Sequence, residues 1–142
     1  MKTPYDTALR VTDRQLDQVR AAIGQAIDEL QRVELAQREI DAAMRRESVA
    51  SGSDHRMLTE HFFVRARADR QRLRKRRALA HAQLEELRRQ AVDCYGSRTA
   101  IENAAGTFRE EALRLEANAE QMANDDRVGA RAGRFRRTSP LP

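Results

Sequence analysis

At 142 residues the chain has the length of one domain, yet aromatics make up 4% of it, tryptophan is absent and 35% of residues are charged. Those proportions exclude a large aromatic-rich core. The single cysteine excludes an internal disulfide framework and fits a reducing compartment, while the opening residues do not read as a signal peptide and no apolar run is long enough to span a bilayer. The bulk is Ala, Arg, Glu, Leu and Gln, the composition of long helices and coiled coils. Charge density of this order also occurs in disordered chains. Disorder, however, does not keep apolar residues in phase over many heptads.

The first predicted helix spans about residues 4–48. Thr3 is placed to cap it, Pro4 suits the first helical position, and Asp6 brings a negative charge to the helix N-terminus. Apolar residues recur at Leu9, Leu16, Ile23, Leu30 and Met44, with a companion row at Val19, Ala26, Val33 and Ile40. Seven-residue spacing keeps both rows on one narrow stripe, the pattern of a coiled-coil seam. The small polar run within 49–54 reads as a turn, with Ser53 or Asp54 capping the next helix.

A second helix is predicted over about 55–123, roughly 105 Å long against about 67 Å for the first. Its seam alternates steps of four and three through Leu73, Ala80, Leu84, Leu87, Ala91, Cys94, Ile101, Ala105, Phe108, Ala112, Leu115, Ala119 and Met122. Gln37, Arg70, Arg77 and Arg98 interrupt the seam rows, where long arginine stems pack while their heads reach water. Gly24, Gly96 and Gly106 lie off the stripe and need not break a helix. Residues 125–142 lose the periodicity and read as a basic, disordered tail. The fold class is therefore all-α: a long antiparallel coiled-coil hairpin over residues 1–124, with helix two longer than helix one.

A turn centred near Ser51 places residue i opposite residue 102 − i. On that register the first helix runs out opposite Arg98, and the seam from Ile101 to Met122 has nothing of its own to bury against. Charge is uneven along the chain. Residues 49–77 carry nine Lys or Arg against three acids, and 125–142 carry five against two, whereas 78–124 carry five against eight. Basic character lies near the turn and in the tail, and acidic character on the overhang.

No catalytic constellation is present, and an enzyme is not expected. There is no glycine-rich phosphate loop and no nucleophile paired with a base. His55, His61 and His81 lack a metal-ligand spacing, so no metal or other cofactor is implied, and Cys94 sits in the seam as a small apolar residue. The basic block from Arg65 to Arg77 suits an acidic protein surface or, more weakly, an anionic membrane. Its position after a turn does not match a DNA-reading basic zipper, in which two helices fork from a parallel dimer. Met57, Leu58, Phe62 and Phe63 precede the block; not all can face helix one, which leaves an aromatic beside the basic patch as a partner-binding spot.

The opening Met-Lys-Thr-Pro-Tyr-Asp-Thr-Ala-Leu-Arg-Val-Thr-Asp-Arg-Gln-Leu-Asp-Gln-Val-Arg, the length and the two-helix layout resemble the FliJ family of flagellar type III export proteins and its injectisome counterparts. That resemblance implies a cytoplasmic, non-enzymatic stalk and escort at the inner face of the cell membrane, joined peripherally to the membrane through the export complex that serves flagellum biogenesis. The implied partners are the flagellar export ATPase, the cytoplasmic domain of the export gate and export chaperones, with no nucleic acid. The ATPase-facing role would fall on Leu9, Leu16, Ile101, Phe108, Leu115 and Met122, and the gate-facing role on Phe62, Phe63, Arg67 and Arg70. Two readings compete: a structural coiled coil that buries its overhang by homo-oligomerising, and a nucleic-acid-binding coiled coil.

Overall fold

A computed structural model describes residues 1–50 and 56–138, with side chains described up to Ala50 and from Thr59 to Arg137. The fold is the expected all-α two-helix hairpin with the second helix the longer. Helix α1 spans Asp6–Ala50 and helix α2 spans Arg56–Thr138, 45 and 83 residues. Ser51 to His55, which include the expected turn and cap residues, lie outside the described residues, as do residues 139–142 and the side chains of Met57 and Leu58.

The two helices contribute to two compact units, one made of Thr12–Gly96 and the other of Met1–Val11 with Ser97–Pro142. In the first, the buried apolar residues are Leu16, Ala26, Val33, Ala66, Leu73, Ala80 and Leu84. They belong to the heptad rows, extended backwards on α2 by Ala66 and the buried Thr59. Val33 is the most enclosed, at 1% exposure. Alanine at three of these positions keeps the seam narrow and lets backbones approach toward the lower end of the usual 8–10 Å interaxial range. Thr12 fills the step of the α1 companion row that an apolar count passes over. No buried side-chain nitrogen or oxygen lacks a hydrogen-bond partner among the described residues.

Register in this unit differs from the expected one. Asp41 pairs with Arg70 at 3.3 Å and Glu34 with Arg77 at 3.5 Å, pairs whose numbers add to 111 rather than 102. Part of the difference lies in the helix ends: Val49 and Ala50 continue α1, and α2 begins at Arg56. Arg76 also pairs with Glu29, and the Arg20 guanidinium lies 5.5 Å from the centre of the Tyr95 ring while donating to its hydroxyl. From Arg20 to Asp41 on α1 the partners run from Tyr95 down to Arg70 on α2, the direction of an antiparallel pair.

In the second unit Thr3 and Asp6 bond to each other at the start of α1, which begins at Asp6, two residues after Pro4. The Thr3 hydroxyl donates to Asp6 Oδ1 at 2.8 Å and the Thr3 amide to Asp6 Oδ2 at 3.2 Å, while the Asp6 amide donates to the Thr3 carbonyl at 3.2 Å. The acid reaching back to the Thr3 N–H is one half of a capping box, and the Thr3 hydroxyl donates to the same carboxylate. The Thr3 hydroxyl, followed by the Thr3 amide, holds the Asp6 carboxyl below the ordinary carboxylate range. Opposite the cap, Ala105 is 1% exposed and Ile101 half-buried, and Tyr5 meets Phe108 edge-on with ring centres 6.4 Å apart.

Candidate functional site

The segment of α2 beyond this cap is where the second unit lacks cover. Ala112 is half-buried, and every residue from 113 to 137 is exposed. The seam sequence nevertheless continues there in phase, so that Phe108, Ala112, Leu115, Ala119 and Met122 form one stripe along the helix. Leu115 is 69% and Met122 68% exposed, and with Phe108 at 39% they follow one another along the stripe. Around the stripe, residues 109–126 hold six carboxylates and two arginines. The arrangement is an acidic helix with a greasy line down one side, suited to receiving a second helix whose flanks are basic.

The unpartnered seam is shorter at its start than the sequence reading places it. Ile101 and Ala105 are covered within their own unit, Leu9 is half-buried there, and Leu16 is buried in the unit formed by Thr12–Gly96. Leu16 therefore packs inside the hairpin, while Leu9 and Ile101 keep part of their surface exposed. Phe108, at the edge of exposure and against Tyr5, marks where cover ends. Leu115 and Met122 remain. At its other end the segment is longer than expected: residues 125–138 continue α2 as helix where the composition reads as a disordered tail. Arg136 and Arg137 lie in its last turn, where positive charge meets the negative end of the helix dipole.

The basic block also takes a different form from a free cationic patch. Arg70, Arg76 and Arg77 pair with Asp41, Glu29 and Glu34 of α1, and Arg72 with Asp69 one turn back. These side chains are all partly solvated, so each pair contributes up to about 1 kcal/mol. Arg65, Arg67, Arg74 and Lys75 are exposed as well and add to the cationic surface of the block. Arg70, expected as a partner contact, pairs with Asp41 and stays partly exposed. The signal that could have found this lies in the sequence itself. On the 102 register Arg70 would face Arg32, a repulsive pair, whereas on the 111 register it faces Asp41.

Phe62 and Phe63 are both half-buried, edge-to-face, with ring centres 5.6 Å apart. Phe62 helps line an open groove with Ile40, Ala43, Arg65, Ala66 and Asp69. The groove joins an apolar floor to one basic and one acidic side chain, and Arg67 lies exposed nearby in sequence. Among the described residues no group of three or more His, Cys, Asp or Glu side chains is placed to hold a metal ion, and no helix is long and apolar enough to cross a membrane. No family model, curated protein or solved structure matches the chain.

Proposed function

We propose that the chain is a non-enzymatic stalk and escort component of a bacterial flagellar type III export apparatus, acting between the export ATPase and the export gate and handling export chaperones. The observation that carries the reading is the exposed continuation of α2. A helix that keeps its seam in phase through Leu115 and Met122, both exposed among the described residues, supports completion by another protein. The coiled-coil hairpin and the opening twenty residues that resemble the FliJ family supply the candidate partner, the export ATPase. On this reading the ATPase-facing surface is Phe108, Leu115 and Met122, and the gate-facing surface is Phe62, Phe63 and Arg67 at the groove. The protein works in the cytoplasm at the inner face of the membrane.

Homo-oligomerisation through the same stripe is the second reading, since exposed Leu115 and Met122 would serve it equally. Charge weighs against it. Two copies pairing their stripes would bring two segments together that each carry six acids against two arginines. The test uses the full chain and its double variant Leu115→Glu/Met122→Glu, which changes only exposed positions. Co-elution of the full chain with the export ATPase and its loss in the variant support the export reading. A concentration-independent dimer in sedimentation that the same variant dissociates, with no ATPase bound, replaces it with the oligomer.

A further inference from the structure

Beyond the acidic stretch, the last turns of α2 change character. Residues 127–137 carry five arginines and no acid, and all are exposed. Projected at 3.6 residues per turn, Val128, Ala132 and Phe135 fall within an arc of about 60°. Arg127, Arg131 and Arg134 border that arc on one side and Arg136 on the other, while Gly129, Ala130, Gly133 and Arg137 occupy the far face. Phe135 is 79% exposed. An apolar line edged by cations is the layout of a helix that lies in the plane of a membrane interface.

We propose that residues 127–137 dock directly on an anionic lipid surface, with Phe135 and Val128 in the headgroup–acyl boundary and the flanking arginines on lipid phosphates. This contact stands apart from the export reading, which concerns the stripe ending at Met122. Charge complementarity selects the occupant. The block at 65–77 has carboxylates of α1 and its own helix against four of its cations, whereas 127–137 holds no acid at all. Nucleic acid would engage the arginines alone and leave the Val128–Ala132–Phe135 line in water; a bilayer interface takes both. With only three apolar residues, one of them alanine, the line is too small to hold a neutral membrane, so binding depends on anionic lipid. Gly129 and Gly133 lower the helix propensity of the segment on its far face, where a surface-bound helix needs no packing.

The experiment is flotation of the full chain with vesicles of phosphatidylcholine, alone or containing phosphatidylglycerol. The chain should float with the anionic vesicles and not with the neutral ones. Arg131→Gln/Arg134→Gln should lower the vesicle affinity about 25-fold, at roughly fivefold per arginine. Phe135→Ser should lower it severalfold, and Arg67→Gln/Arg74→Gln should leave it within about twofold. All of these positions are exposed, and an unchanged thermal melt verifies that each variant is folded. The proposal is overturned by absent or lipid-independent flotation, or by loss confined to the Arg67/Arg74 variant. It is equally overturned if Phe135→Ser has no effect and duplex DNA displaces the vesicles, which would make the segment a general polyanion site.

Discussion

The seam of the unit formed by Thr12–Gly96 and the stripe of residues 108–122 in the other unit obey the same heptad rule, and their environments differ completely. Leu84 is 4% exposed and Leu115 69%. A periodic apolar pattern states that a helix face is meant to be covered; what covers it is a separate matter. In the Thr12–Gly96 unit the cover is α1, with the pairs Asp41–Arg70 and Glu34–Arg77 between the helices. Along 113–122 the stripe is exposed among the described residues.

The widest separation between the two regions should appear on truncating a leucine in each. Leu84→Ala removes buried volume and should cost about 2–5 kcal/mol in urea unfolding, whereas Leu115→Ala should change stability by no more than about 0.5 kcal/mol. Equal costs at the two sites would erase the contrast. Overpacking sharpens it further. Ala80→Leu forces extra volume into a narrow seam and should cost about 1–3 kcal/mol, while Ala119→Leu, on an exposed stripe, should be close to neutral in the same assay. A penalty at Ala119 would mean that its face is already occupied.

Smaller effects probe the helices themselves. A Cβ at Gly24 would meet nothing within 4 Å, so Gly24→Ala should raise the stability of the Thr12–Gly96 unit by up to about 1 kcal/mol, read from the urea midpoint. At the start of α1, the Asp6 carboxyl has a lowered pKa in the folded state because Thr3 donates to it twice. Its stabilising contribution is therefore fully present above the ordinary carboxylate value of 3.8 and is lost as pH falls through the lower folded value. Amide exchange over residues 6–11 should quicken, relative to its intrinsic rate, as pH drops below about 4, and Asp6→Asn should flatten that change. A pH dependence that survives Asp6→Asn would assign the effect to another group.

Much of the fold was legible in the chain, and the failures have one main physical source. Heptad phase placed Leu16, Ala26, Val33, Leu73, Ala80 and Leu84 in the seam, where they are buried. Thr3 and Asp6 were legible as a cap because their roles depend only on local chain geometry. Register was not, because a small polar run marks a reversal only to within a few residues, and Ser48 to Ala50 proved compatible with helix. That displacement of the register made Ile101 and Ala105 look uncovered and hid the partners of Arg70 and Arg77. Testing both registers against charge would have favoured the later one. The helical state of residues 125–138 was hidden for a different reason, since loss of heptad phase removes the signal for a coiled-coil seam without forbidding a helix.

Amide hydrogen exchange of the full chain, alone and with the flagellar export ATPase, tests the central claim most directly. In the free chain, amides over 113–125 should exchange far faster than those around Val33 and Leu84, as a helix without tertiary cover does. On adding the ATPase, protection should rise across 113–125 and leave the seam of the Thr12–Gly96 unit unchanged. Complex formation with no added protection over 113–125 would contradict the account, because the exposed stripe would then not be the surface that the partner completes.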